Sequence, residues 1–456
     1  MNSDKPMQRN IGAVGAAVTL VGFVVGISIF VLPGTLAAST GPAVMISYAI
    51  AAMMAVFSCV VAAQVGSVLP VSGASFVVVS RTVSPFIGFA MVWLIIGGAT
   101  VAVALLASGF ADYLILLWPG VDRQIAALLL VFGLGGLNLL GIRDTVIVQG
   151  VMVVFFLGAL MIFSGAALYN IDTGLLIPFA PNGFTPVLVA AIPAFFSFAG
   201  FMVIIEIGGE IRNPARNIPL ALAISFTTVL IIYSLVSLSI VGVIPWTDLS
   251  DSGAPVGEAA AIVLPAWLAK AITLTAIAAA ASSVNVMLLG YSRDILALAQ
   301  TQALPSFMAR ISAKHGEPVN GVLLMTMLSA IAVMTGGDIE AYATVVVFGL
   351  LLAQIAIGLA TRRLPEQLPA LFQNSAFKLR PGALSFFSYG LIVLSIIFLL
   401  VVILDSPKIA LIVIAYLSLG IVYYFARRHW LIKHGISIEA RISEVTRQIS
   451  IDEDMS

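Results

Sequence analysis

The sequence predicts an all-α integral membrane protein with 12 transmembrane helices. Of its 456 residues, 61% are hydrophobic and 9% are charged, whereas soluble domains carry about 25% charged residues. Apolar runs long enough to cross a bilayer, about 20 residues each, recur along the chain. Lysine and arginine fall almost entirely in alternate connections between these runs, which is the distribution expected of a multi-pass membrane protein.

The apolar runs can be placed one by one along the chain. In order, they cover residues 11–36, 42–64, 86–116, 124–141, 146–168, 186–209, 219–243, 266–299, 320–336, 341–360, 386–404 and 409–426. The first and sixth runs are interrupted internally by small residues and proline. The eighth run is long and carries Ser282, Ser283 and Asn285 well inside it, so we expect a long, tilted helix there.

The basic residues give the orientation of these helices. With the N-terminus in the cytoplasm, 18 of the 21 lysines and arginines lie on the inner side and only Arg123, Lys270 and Lys408 lie outside. This bias follows the positive-inside rule. We therefore expect a cytoplasmic N-terminus (residues 1–10), a cytoplasmic tail (residues 427–456) and a location in a plasma membrane, of the bacterial inner-membrane kind.

The residues that carry most catalytic and metal-binding chemistry are scarce at membrane depth. The single cysteine, Cys59, lies in an apolar run, and His315, His429 and His434 lie in polar connecting or terminal segments. A membrane-embedded enzyme would need a nucleophile–base pair or metal ligands inside the apolar runs. We therefore expect no enzyme, no metal site, no organic cofactor and no nucleic-acid partner.

The interruption of the first run lies near the middle of the membrane. The segment Gly22–Gly34 contains Gly26, Ile27 and Ser28, followed by Pro33. A proline has no N–H, so the carbonyl four residues before it loses its helical donor. A broken helix at this depth is tolerated only where it faces protein or a water-filled cavity, and in transporters that cavity is often the binding site.

A second interruption in the sixth run, at Pro193–Phe201, matches the first. The two broken runs are five spans apart. This offset predicts two five-helix repeats of opposite membrane orientation, covering residues 11–168 and 186–360, followed by two further helices within residues 386–426.

Five short segments of the chain carry a resemblance to a known family. They are Gly26-Ile-Ser-Ile-Phe30, Asn138-Leu-Leu-Gly141, Phe198-Ala-Gly-Phe201, Glu210-Ile-Arg-Asn-Pro-Ala-Arg-Asn-Ile-Pro219, and Ser283-Val-Asn285 with Ser292-Arg293 and Leu304-Pro305. In this order they resemble the amino acid–polyamine–organocation (APC) superfamily of permeases. The resemblance implies the LeuT-type fold, with five-plus-five inverted repeats and a central site between broken helices 1 and 6.

The physics of such a site suits a zwitterion. Free N–H groups at the start of the second half of helix 1 favour a carboxylate, and unwound carbonyls of helix 6 favour an ammonium group. The expected substrate-binding residues are Val24, Gly26, Ile27, Ser28, Phe196, Ser197, Phe198, Ala199, Gly200 and Asn285. Ser28 departs from the family, which usually has glycine there, and its hydroxyl is a candidate donor to the carboxylate.

Four residues are candidates for gating or coupling. Phe196 aligns with a position at which related permeases place an aromatic gate over the substrate. Glu206 is a carboxylate inside the membrane, and such a costly group is expected to have a function and a partner. It is a candidate proton carrier, a candidate counter-ion for a cationic substrate, or a candidate residue of a cytoplasmic gate. Ser282 and Ser283 are candidates for Na⁺ coordination. Coupling to H⁺, coupling to Na⁺ and uncoupled exchange are all open.

The function predicted from these features is secondary transport of amino acids by alternating access. The apolar character of the candidate pocket favours a neutral, hydrophobic side chain. The alternatives are a transporter of cationic amines or polyamines, with Glu206 as counter-ion, and an amino acid exchanger or exporter. The expected partners are a small-molecule substrate and the lipid bilayer, and the oligomeric state is left open.

Overall fold

A computed structural model describes residues 11–70, 73–140, 146–206, 208–312, 317–375, 377–441 and 444. The described chain is all-helical apart from two isolated β-bridges. Its α-helices are α1 (Ala13–Val25), α2 (Ser28–Thr40), α3 (Val44–Val68), α4 (Ala74–Thr82), α5 (Pro85–Leu117), α6 (Arg123–Leu139), α7 (Val146–Tyr169), α8 (Thr185–Phe196), α9 (Val203–Glu206), α10 (Pro214–Val241), α11 (Pro255–Val263), α12 (Ala266–Gln300), α13 (Val319–Met334), α14 (Ile339–Gln367), α15 (Pro369–Asn374), α16 (Pro381–Asp405) and α17 (Pro407–Lys433).

Local sequence explains where several of these helices begin. The Ser84 hydroxyl accepts a hydrogen bond from the Ile87 amide at 3.2 Å, ahead of Pro85 as the first residue of α5. The Asp122 carboxylate accepts one from the Ile125 amide at 2.8 Å at the start of α6. A capping oxygen satisfies an amide that has no helical acceptor, and proline suits the first helical position because it has no N–H to lose.

The membrane character of the chain is confirmed by the lengths of its helices. Among the described residues, eight helical segments are long and apolar enough to cross a membrane, and α8 with α9 forms a further candidate bent by 41°. Three shorter apolar helices, α1, α6 and α13, accompany them. The short helices α4, α11 and α15 lie in connections for which the sequence predicted no helix.

The two prolines that drew attention to the interrupted runs do not break the helices. Pro33 lies inside α2 and Pro193 lies inside α8. The breaks fall instead at Gly26–Ile27, and at Ser197–Phe198 before a short 3-10 helix over Ala199–Met202. The broken character of runs 1 and 6 is therefore present, but each break is displaced from the proline that suggested it.

The helices pack as two groups. In the first group, α1 and α2 pack against α10, α3 packs against α8 and α10, and α2 packs against α8. In the second group, α5 packs against α6, α12 and α13, and α13 also packs against α6 and α12. Helix α14 packs extensively along α5, and α16 packs against α14. The broken helices therefore belong to one group and face the other.

A backbone contact ties the start of the first broken helix to the segment after the second. The Arg212 amide donates to the Ile11 carbonyl at 2.8 Å, and Ile11 forms a parallel β-bridge with Ile211. These two segments are therefore held together as one unit. The predicted N-terminal segment 1–10 and most of the tail beyond α17 lie outside the described residues.

Candidate functional site

The break in the first helix leaves carbonyl groups without helical donors. Gly26 has a non-helical backbone conformation (φ 13°, ψ −156°), and the helical pattern resumes when the Phe30 amide donates to the Ile27 carbonyl at 3.0 Å. The Val24 carbonyl receives a hydrogen bond from the Tyr233 hydroxyl at 3.2 Å. A side chain of α10 thus supplies a donor at the break, as a buried backbone carbonyl requires.

The second break lies directly against the first. Helix α8 ends in tight turns, in which the Ser197 amide donates a hydrogen bond to the Ala194 carbonyl at 3.0 Å. A β-carbon added at Gly200 would lie 2.8 Å from the Phe23 ring and 3.2 Å from the Val24 Cα atom. Only a glycine at this position lets the two broken backbones approach so closely.

A narrow cavity of about 50 Å³ lies at these breaks, between the two groups of helices. Its lining from the broken helices is Phe23, Val24, Gly26, Ser28, Phe196, Ala199 and Gly200. Its lining from α5, α12 and α14 is Leu94, Ile95, Gly98, Ala99, Ala102, Leu106, Ser283, Met287, Tyr291, Val346 and Leu350. The lining is mostly apolar, with three hydroxyl groups, as expected of a site for a small ligand.

The structure brings seven of the sequence-predicted residues together on this cavity: Val24, Gly26, Ser28, Phe196, Ala199, Gly200 and Ser283. The Ser283 hydroxyl faces Gly26, 2.6 Å from where a β-carbon would stand on that glycine. Five others are buried but are not among the lining residues: Ile27, Ser197, Phe198, Ser282 and Asn285. Ile27 packs instead against α5, close to Gly109.

Phe198 belongs to an aromatic cluster on the far side of the first break. Its ring lies 5.4 Å from the Tyr233 ring, and the Tyr48 ring stacks on Tyr233 at the same distance. Phe226 extends the cluster to Phe201. These rings fix α10 against the breaks, whereas Phe196 is the aromatic residue of the second break that reaches the cavity.

Glu206 lies at the end of α9, close to a second carboxyl group that no pattern in the sequence marks as part of the site. It accepts a hydrogen bond from the Ser75 hydroxyl and interacts electrostatically with Asp294 of α12. Its Oε2 atom is buried and has no hydrogen-bond partner among the described residues. Tyr291, which lines the cavity, lies near both acids. Two acids at this depth need a compensating proton or cation.

Hydrogen bonds also join α2, α5 and α11 farther along the second half of the first broken helix. The Tyr113 hydroxyl donates to the Phe30 carbonyl at 2.7 Å and accepts from the Gly257 amide at 3.4 Å. Next to it, the Arg123 Nη2 atom donates to Asp112 at 2.9 Å. The second half of the first broken helix is therefore tied to α5 of the second group, and through Tyr113 to α11.

Comparison with known proteins decides the family. A family model described as "Amino acid permease" matches residues 11–423. The chain belongs to the amino acid permease family. This confirms the expected APC superfamily membership and the expectation of a membrane permease rather than an enzyme.

Three relatives illustrate the range of the family. The "Branched-chain amino acid permease BcaP" of Bacillus subtilis is 26% identical, and the alignment covers 94% of this permease and 95% of the relative. The "Cationic amino acid transporter 3, mitochondrial" of Arabidopsis thaliana is 29% identical over 78% of this chain and 63% of its own. The "Cationic amino acid transporter 2, vacuolar" of the same plant is 30% identical, over 73% of this chain and 56% of its own.

Proposed function

We propose that this permease is a secondary transporter that carries amino acids across the membrane by alternating access. The observation that carries the proposal is the position of the cavity. It lies where the two helix breaks meet and separates the group that contains them from the group around α5 and α12. Rocking of the first group against the second would open the cavity alternately to the two sides, with Phe196 occluding the substrate.

The proposed topology has 12 spans. In it, α1 with α2 and α8 with α9 each form one broken span, and the other ten are α3, α5, α6, α7, α10, α12, α13, α14, α16 and α17. The first five and the next five spans would form the inverted repeats 11–168 and 186–360 of the LeuT-type arrangement. The charge bias supports cytoplasmic termini in a plasma membrane of the bacterial inner-membrane kind.

For the substrate, we propose a neutral amino acid with a hydrophobic side chain. Leu94, Ile95 and Met287 offer the side chain an apolar wall, while the N–H groups at the start of α2 and the backbone carbonyls of the second break suit the zwitterionic head. The printed name of the Bacillus subtilis relative supports this choice. Glu206 and Asp294 favour a cationic amino acid as the second candidate, since their negative charge has no cation beside it among the described interactions.

For coupling, we propose a proton rather than Na⁺. Glu206 and Asp294 form a half-buried acidic pair near the cavity residue Tyr291, and a proton is the smallest cation that can compensate them. The sodium alternative would use Ser282 and Ser283 with carbonyls of the first break.

The substrate is tested by thermal stabilisation of the detergent-purified permease with a panel of free amino acids, N-acetylated amino acids and amines, with and without Na⁺. Free hydrophobic amino acids are expected to raise the unfolding temperature, because a ligand that binds only the folded state stabilises it. N-acetylated forms, which lack the ammonium group, are expected to have little effect. Equal stabilisation by both forms contradicts the zwitterion site, and stabilisation by amines alone favours the cationic candidate.

Carrier action is tested separately in proteoliposomes. A preloaded amino acid is expected to accelerate entry of the labelled one, and this counterflow is expected to saturate. A simple channel gives neither acceleration nor saturation. An uptake rate that rises linearly with substrate concentration therefore contradicts alternating access.

A further inference from the structure

A chain of three buried groups lies behind the first helix break. The Tyr233 hydroxyl is 3.2 Å from the Val24 carbonyl oxygen, and the Ser28 hydroxyl is 3.0 Å from the Tyr233 hydroxyl. Tyr233 is fully buried and Ser28 is 3% exposed. The Tyr48 ring stacks on Tyr233 and the Phe198 ring packs against it at a tilt, and these contacts hold the Tyr233 hydroxyl in place.

The direction of these hydrogen bonds follows from the number of protons available. A backbone carbonyl can only accept, so Tyr233 donates to Val24. A tyrosine hydroxyl has a single hydrogen, and that hydrogen is used in this contact. The Tyr233–Ser28 contact must therefore use the hydrogen of Ser28. The Ser28 oxygen is left with lone pairs only.

This polarity matters because Ser28 lines the cavity. A carboxylate placed against the Ser28 oxygen would set two acceptors against each other. An ammonium group would instead find an acceptor there. The two charged groups of an amino acid are attached to the same carbon atom, so a substrate whose carboxylate binds the N–H groups at the start of α2 has its ammonium group within reach of the same turn.

We propose that the Ser28 hydroxyl binds the ammonium group of the substrate, and that Tyr233 is the positioning residue that fixes Ser28 as an acceptor. The inference rests on the proposed amino acid transport. It replaces the expectation that Ser28 donates to the carboxylate.

The test is Ser28→Ala with three ligands, each measured by competition against labelled leucine: leucine, leucinamide, which keeps the ammonium group but has no carboxylate, and 2-hydroxy-4-methylpentanoate, which keeps the carboxylate but has no ammonium. Leucine and leucinamide are expected to bind about 10- to 100-fold more weakly to the variant, the range for one hydrogen bond to a charged group. Binding of the hydroxy acid is expected to be unchanged.

Two results would overturn the proposal. Weaker binding of leucine and the hydroxy acid, with leucinamide spared, would make Ser28 a donor to the carboxylate. Unchanged binding of all three would remove Ser28 from the substrate site. If the wild-type permease binds none of the three ligands, the proposed function has failed for this substrate class, which is a separate result.

The positioning role of Tyr233 is tested by Tyr233→Phe, which keeps the ring and releases the Ser28 hydrogen. The ratio of hydroxy acid affinity to leucine affinity is expected to rise about tenfold, since Ser28 can then donate to a carboxylate. In the Ser28→Ala background the same change is expected to leave the ratio unaltered. The matched control is Tyr48→Phe, because the Tyr48 ring stacks on Tyr233 in the same cluster while the hydrogen bonds to Val24 and Ser28 described above come from Tyr233. An equal shift in both tyrosine variants would reduce Tyr233 to a structural role.

Discussion

Gly200→Ala is expected to abolish most transport while leaving the permease folded. The added β-carbon would stand 2.9 Å from the Val24 Cγ2 atom and 3.2 Å from the Val24 Cα atom. A side-chain methyl can turn away, but the Cα atom belongs to the backbone of the first break, so the two breaks must separate. Overpacking of this kind costs about 1–3 kcal/mol, which corresponds to a change of about 5- to 150-fold in a conformational equilibrium. The initial rate of uptake into proteoliposomes measures the loss.

The matched control is Gly158→Ala in α7. A β-carbon there meets nothing within 4 Å, and the residue is exposed on the described structure. Uptake by this variant is expected to equal that of the wild type. Thermal unfolding of both variants separates a loss of transport from a loss of folded protein. If Gly200→Ala transports as well as Gly158→Ala, the close approach of the two breaks is not needed for transport.

The helices of this permease were predictable from sequence because the bilayer imposes a length on every apolar run. The run predicted at 266–299 is α12, Ala266–Gln300, and the run predicted at 86–116 is α5, Pro85–Leu117. The exact site of each break was less predictable. Pro33 removes one hydrogen bond, which α2 tolerates inside the protein, whereas Gly26 permits the backbone conformation that ends α1.

The candidate site was predictable only where its residues carry a local signal. Gly26, Ser28 and Gly200 interrupt otherwise regular apolar runs, and all three line the cavity. Leu94 and Val346 are ordinary apolar residues on ordinary apolar helices, and only the packing of α5 and α14 brings them to the breaks.

Two polar residues were missed for the same reason. Asp294 follows Arg293 near the end of a run, where the sequence alone suggests a solvated charge pair, while the structure half-buries it close to Glu206. Tyr233 reads as a core aromatic, and only the fold places its hydroxyl on the carbonyl that the first break exposes.

Glu206→Gln is expected to uncouple transport from the proton gradient without stopping exchange. Glutamine keeps the size of the side chain and an oxygen that can accept the hydrogen bond from Ser75, but it carries no charge to be compensated by a proton. A proton gradient directed inward, with the outside more acidic, is therefore expected to drive uphill accumulation of the amino acid in wild-type proteoliposomes. In the variant the amino acid is expected only to equilibrate. Counterflow, which needs no net proton movement, is expected to persist in both.

The control for this variant is Glu366→Gln, the same substitution on an exposed glutamate of α14 that pairs only with Arg362 at 3.6 Å among the described residues. It is expected to accumulate substrate like the wild type, because an exposed ion pair contributes little to stability.

Asp294→Asn is expected to match Glu206→Gln, since the two acids form one pair. Accumulation driven by a Na⁺ gradient in the wild type contradicts proton coupling. Selective loss of cationic amino acid uptake in Glu206→Gln, with pH-driven accumulation of neutral substrates intact, would instead assign Glu206 as a counter-ion for the substrate.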